Sequence, residues 1–308
     1  YVKSMREIMS LPVIPFYSHP DPAQAIHDLL SGLGFMQISD IGIDPALLSK
    51  VFAMSREFFC GDKAVKARCR YQSAQENFGY QGVLEENLDP AAPADLKETF
   101  TMRNILAACP ADERWPSVAF KLLMQQFYAE VLRAAHEIQR VMARQLSEQE
   151  HFFTRAHNGE NISLRLLYYP AQDKNKLSDG QLGAGAHTDY GFLTLLFQDN
   201  AGGLQVLNHE QNWMDVPPEQ GAAVVNSGDL LEHWTNGTYR STLHRVMPRT
   251  NGKDRLSIAM FIDPDTATKV TPLAGCVNAN NPAKYPTVTA GEHIQAKLAA
   301  SHKARFAQ

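Results

Sequence analysis

Cysteine is scarce in this 308-residue chain, with four residues at 60, 69, 109 and 276. No pair is spaced C-x-x-C, which excludes a disulfide scaffold and a zinc knuckle and points to a reducing, cytoplasmic compartment. Positive charge is not in excess either, because 29 Lys and Arg against 33 Asp and Glu leave a net charge of −4. No basic field exists to draw in a nucleic-acid backbone or an anionic membrane, so neither is expected as a partner. No apolar run approaches the ~20 residues of a membrane helix, and the first twenty residues lack the basic, apolar and small-residue order of a signal peptide. Repeats and Gly/Ser/Pro-rich linkers are also missing. At 44% hydrophobic and 20% charged, the chain has the material for a large core, and one domain over 1–308 is expected.

The hydrophobic patterning changes along the chain. Residues 1–117 read as a mixed flank: an apolar run at Leu11–Phe16, a helical stretch from Ala23 to Leu33, a strand at Phe35–Ser39, and a helix opened by Asp44-Pro45 and stopped before Gly61. Arg70 to Arg103 shows no regular pattern and reads as a loop over one mouth of the core. In 118–147 the apolar residues Phe127, Val131, Ala134, Ile138 and Met142 fall at steps of four or three, one face of a long helix. From 160 to 265 short strand-like runs alternate with Gly, Pro, Asn and Asp, which suggests a double-sheet or barrel-like β core. A last helix is expected over 290–306. The fold class is therefore α+β with a mainly β core.

Within that core, Ala186-His187-Thr188-Asp189-Tyr190-Gly191 is the strongest local signal. In an extended chain residues i and i+2 share a face, so His187 and Asp189 converge. They supply two arms of a two-His, one-carboxylate set that holds Fe(II) and leaves other positions open. The third arm should come from a neighbouring strand. Of the 11 histidines, His244 in Ser241–Val246 is favoured over its main rival His233, because its run leads into Arg255-Leu256-Ser257. There a guanidinium and a hydroxyl again share a face, an arrangement that binds a carboxylate. Asn251-Gly252 between them reads as a hairpin turn pairing Ser257 with Val246 and Ala259 with His244, so that ligand and clamp face one pocket.

His187-x-Asp189, His244 and Arg255-x-Ser257, with Tyr168-Tyr169-Pro170 before them, resemble the Fe(II)/2-oxoglutarate-dependent dioxygenases of the isopenicillin N synthase-like superfamily. The resemblance runs from Leu11–Phe16 through Asp95-Leu96-Lys97-Glu98-Thr99-Phe100 to the last helix. It implies a double-stranded β-helix (jelly roll) flanked by helices, with Fe(II) on His187, Asp189 and His244. It also implies that Arg255, Ser257 and Tyr169 bind the distal carboxylate of 2-oxoglutarate. Leu167 is a departure, since many plant members carry Asn there. Tyr168 reads as core.

The implied reaction consumes O2 and 2-oxoglutarate, releases succinate and CO2, and hydroxylates, desaturates or cyclises a small organic molecule. Ascorbate is a usual reductant for such enzymes. Retention of Asp189 argues against halogenation, in which related enzymes give up the carboxylate to make room for halide. Three alternatives stay open: an isopenicillin N synthase-like oxidase whose clamp takes the substrate carboxylate, an ethylene- and succinate-forming enzyme, and a non-catalytic jelly-roll binding protein. A zinc hydrolase is disfavoured because no general base is evident beside the three ligands. Candidate specificity residues are Phe78, Tyr80, Arg103 and Phe192, together with the C-terminal segment. Substrate identity and oligomeric state are not legible.

Overall fold

The structure, a computed structural model, describes residues 11–89 and 91–303, with side chains to residue 297. The N-terminal elements are β1 (Val13–Pro15), α1 (Pro22–Ser31), β2 (Phe35–Ser39), α2 (Pro45–Cys60), α3 (Lys63–Arg68), β3 (Phe78–Gln81), β4 (Glu98–Arg103) and α4 (Val118–Gln145). The core strands follow: β5 (Ser163–Tyr169), β6 (Ala184–His187), β7 (Leu193–Gln198), β8 (Leu204–Leu207), β9 (Trp213–Asp215) and β10 (Ala222–Ser227). Then come α5 (Asp229–Trp234), β11 (His244–Val246), β12 (Arg255–Ile262), β13 (Lys269–Val270), β14 (Val288–Thr289) and α6 (Ala290–Lys303). The end of the last expected helix, 304–306, lies outside the described residues.

Asp21 and Asp44 each precede a proline, and each carboxylate accepts a backbone N–H of the first turn, so α1 and α2 start where the sequence places a cap and a preset φ. Along α4, Phe127, Val131, Ala134, Ile138 and Met142 are all buried, which is the face read from their spacing. Phe127 packs edge-on against Phe197 of β7 at 5.4 Å, and its truncation to Ala would cost about 3–5 kcal/mol.

Two sheets form the core, an eight-stranded one in the order β1-β2-β10-β7-β12-β5-β4-β3 and a four-stranded one in the order β6-β11-β8-β9. Helices α1, α2 and α4 pack on the larger sheet, and the site lies between the sheets. Strand β12 shows how period two divides the layers. Leu256, Ile258, Met260 and Ile262 join the helix-side core, whereas Arg255, Ser257, Ala259 and Phe261 line the cavity between sheets.

Two expectations are corrected. Strands β11 and β12 do not form a hairpin, because β11 pairs with β6 and β8 while β12 pairs with β5 and β7. Pro248 lacks the N–H a ladder needs, and the chain crosses from one sheet to the other through Asn251-Gly252, with Gly252 at φ +75. His244 and Arg255 thus share a cavity across the sandwich, not across a turn. The stretch from Arg70 to Arg103 is not wholly irregular, since it contains β3 and β4, and β4 pairs with β5 from Glu98↔Tyr168 to Arg103↔Ser163. Thr99–Arg103 alternates polar and apolar residues, with Phe100 and Met102 in the helix-side core and Thr101 and Arg103 lining the cavity, a period-two signal confined to five residues.

Candidate metal centre and anion clamp

His187 and His244 are direct cross-strand partners on β6 and β11, with ring centroids 4.2 Å apart. Asp189 lies just past β6, its Oδ1 3.8 Å from His187 Nε2 and 3.6 Å from His244 Nε2. One donor atom from each of the three lies within 4.8 Å of the others, and no further cluster of this kind occurs among the described residues. The rings are aimed by their far nitrogens. Nδ1 of His187 donates to the Gly185 carbonyl at 2.7 Å and Nδ1 of His244 to the Thr242 carbonyl at 3.2 Å, so both Nε2 lone pairs face Asp189. Phe35 packs edge-on against the His244 ring.

Asp189 keeps Oδ1 toward the histidines because Oδ2 is occupied, accepting from Thr194 Oγ1 at 2.5 Å and Asn226 Nδ2 at 2.7 Å. Burial alone would raise its pKa, but the two imidazoles and these two donors hold it below the ordinary carboxylate range. Burial, reinforced by His244, pushes the His187 imidazole down to about 3, so it is neutral and its lone pair is free. Two imidazoles and a carboxylate suit a divalent ion of the first transition row.

Arg255 is fully buried across the cavity and forms no ion pair with an acid among the described residues. Its Nη1 donates to Ser257 Oγ and its Nη2 to Gln198 Oε1, each at 2.9 Å, and its Nε has no partner. The guanidinium lies over the Tyr169 ring, 4.8 Å from its centroid, and burial lowers its pKa. A desolvated cation with an unused donor fits an incoming carboxylate. The cavity has a volume of about 700 Å³ and is lined by the His-Asp-His cluster, Arg255, Ser257, Tyr169 and Leu167.

Of the four specificity candidates only Arg103 lines this cavity. Phe78, Tyr80 and Phe192 are buried in the helix-side core, and Tyr168 stacks on Phe59 while its hydroxyl donates to Asp254. His233 is remote in function, its Nε2 bonded to the Pro286 carbonyl and its ring stacked on Tyr285. From the C-terminal segment Ile294 reaches the cavity. Sequence reasoning missed Thr194, Gln198 and Asn226. A polar residue inside or closing an apolar run, as in Ala222-Ala223-Val224-Val225-Asn226, was the available signal.

A β sandwich holding a His-x-Asp…His cluster opposite a buried arginine defines a non-haem iron oxygenase of the jelly-roll type. The chain belongs to the 2OG-Fe(II) oxygenase superfamily, whose model matches residues 161–264, and a model described as "non-haem dioxygenase in morphine synthesis N-terminal" matches 11–119. It is 31% identical to the 2-oxoglutarate-dependent dioxygenase citB of Monascus ruber, over 95% of this chain and 94% of that one. Among solved structures, a full-length Neurospora crassa protein in complex with alpha-KG and thymine is 31% identical with a TM-score of 0.84, covering 97% of this chain and 99% of that one. JOX2 in complex with 2OG, Fe and JA is 29% identical with a TM-score of 0.81, covering 95% and 86%. The protein is an oxidoreductase, an Fe(II)- and 2-oxoglutarate-dependent dioxygenase acting on small molecules.

Proposed function

We propose that His187, Asp189 and His244 hold the Fe(II) of this dioxygenase and that Arg255, Ser257 and Tyr169 hold the distal carboxylate of 2-oxoglutarate. The observation that carries the reading is the buried guanidinium of Arg255, which forms no salt bridge among the described residues, in the same cavity as the three candidate ligands. Iron and cosubstrate, when bound, supply an O2-dependent oxidation that releases succinate and CO2. The protein's part is placement. Gly185 and Thr242 fix the two rings, and Thr194 and Asn226 hold one carboxylate oxygen so that the other faces the ring nitrogens. Ser257 and Gln198 splay the guanidinium toward the cavity. None of these side chains is needed as an acid or a base.

The small organic substrate lies beside this centre, where Arg103, Asn161 and Arg165 give the wall polar groups while Phe35, Leu88 and Ile294 give it apolar ones. Thymine bound to the Neurospora relative is of a size that such a cavity accepts. Four free cysteines support the cytoplasmic assignment, and among the described residues no helix is long and apolar enough to cross a membrane. Nothing in the net charge favours nucleic acid as a partner.

Three variants test the site. Asp189→Ala loses Fe(II), measured as bound iron, and with it 2-oxoglutarate decarboxylation. Arg255→Ala keeps iron but loses about 2 kcal/mol or more of cosubstrate binding, so its 2-oxoglutarate requirement rises about 30-fold. His233→Ala leaves iron binding unchanged. Iron-bound, fully active Asp189→Ala, or an unaltered 2-oxoglutarate requirement in Arg255→Ala, contradicts the assignment.

A further inference from the structure

The metal-facing pose of His187 hangs on the Gly185 carbonyl, and Gly185 is the softest point of its strand. It lacks a Cβ, and it lies where the β6–β11 ladder is irregular, between the pairs His187↔His244 and Ala184↔Val246. The ladder therefore does not pin this residue. A side chain does so, since the Gly185 N–H donates to Asp95 Oδ1 at 2.8 Å. Asp95 is 1% exposed and belongs to the stretch between β3 and β4. That stretch presses on β6 so closely that a Cβ at Gly185 would lie 2.8 Å from Asp89 Cβ and 2.9 Å from Asp89 N.

Asp95 is itself clamped. Its Oδ2 accepts from the Leu88 N–H at 3.3 Å and from Nζ of Lys97, whose side chain is wholly buried. Lys97 Nζ also lies 3.5 Å from Glu86 Oε2, and Glu86 pairs with Arg165 of β5 in the cavity wall. Burying an ion pair is costly, so this one needs a reason other than stability, and a unique side-chain orientation is one.

We propose that Asp95, held by Lys97, is a positioning residue for His187: it fixes the Gly185 backbone, and the Gly185 carbonyl in turn fixes the imidazole. The inference rests on His187 being a metal ligand. What matters at 95 is an oxygen acceptor in a fixed place, and Lys97 supplies the fixing.

Two double variants separate the acceptor from the charges. Asp95→Asn with Lys97→Met removes both charges and keeps a side-chain oxygen for the Gly185 N–H. Asp95→Leu with Lys97→Met removes that oxygen too. Titrating the metal-free proteins with Co(II) and reading its visible absorption, the first binds within about threefold of wild type and the second about 10–100-fold more weakly, the usual cost of losing an outer hydrogen bond to a ligand. Equal affinity in the two variants overturns the inference while leaving the metal site intact. A wild type that binds no Co(II) removes the metal-ligand reading and the inference together. Should the leucine variant not fold, hydrogen exchange of the wild type decides. The Gly185 amide and the His187 Nδ1–H are both expected to be protected, and fast exchange of either overturns the proposal.

Discussion

Asn226 Nδ2 reaches Asp189 Oδ2 at 2.7 Å from a strand of the opposite sheet, and Thr194 reaches the same oxygen from β7. Removing this hold frees the carboxylate to rotate and exposes it to the full cost of burial. Asn226→Ala is expected to weaken Fe(II) binding about 10–100-fold with little change in thermal midpoint, which equilibrium metal titration and a melting curve together check. Asn226→Asp is expected to be worse, because it sets a second buried carboxylate against the first. At this scale the sequence was informative where side chains repeat at i and i+2. His187 with Asp189 and Arg255 with Ser257 were legible for that reason. Their supports were not, since Thr194, Gln198 and Asn226 come from strands whose pairing no local pattern encodes.

Strands and loops carry the next level of constraint, and the short connection after β6 is the tightest. A Cβ on Gly191 would lie 1.5 Å from Asp263 Oδ1, so the chain leaving Asp189 can pass only as glycine. The Phe192 N–H donates to the same Asp263 oxygen at 3.3 Å, and Leu230 N–H to the Gly191 carbonyl at 3.0 Å. Gly191→Ala is expected to displace Asp189 and lower both the melting temperature and iron affinity. Adding Asp263→Ala should restore part of both, since it removes the clashing group, and an unimproved double variant would show that the Asp263 carboxylate is not what excludes a side chain at 191. Elements with one buried face, such as α4, were readable from their spacing. Two elements were not: β4 alternates over Thr99–Arg103 but is too short and too flanked by turn residues to stand out from its irregular surroundings, and the turn at Asn251-Gly252 gave a hairpin signal although the chain changes sheets there. Jelly-roll topology is a property of long-range pairing, which overrides the local preference of a two-residue turn.

Across the whole molecule, buried titratable groups set the response to acid. His157 is 1% exposed, donates Nδ1–H to the Phe153 carbonyl at 2.7 Å and packs on Phe192, and burial pushes its pKa down to about 4. A cationic acid with a depressed folded-state pKa leaves the unfolded chain binding the extra proton between about pH 6.5 and 4, so stability falls as pH falls through that window. The loss amounts to about 3 kcal/mol. Asp263, pushed up to about 7 by burial, acts with the opposite sign, becoming a growing penalty as pH rises above its unfolded value. Comparing wild type with His157→Leu isolates the first effect. The stability of wild type relative to the variant should fall between pH 6.5 and 4, as read by denaturant titration, and a constant difference would show that His157 titrates normally.

The central claim joins both halves of the sandwich: a metal on the small sheet and an anion clamp on the large one serve one bound molecule. An anaerobic titration of the Fe(II)-loaded protein with 2-oxoglutarate, followed by visible absorption, tests it without a known substrate. A weak charge-transfer band that saturates in the wild type, and needs far more 2-oxoglutarate in Arg255→Ala, is the result this account predicts. Iron bound with no such band, or a band indifferent to Arg255, would contradict it.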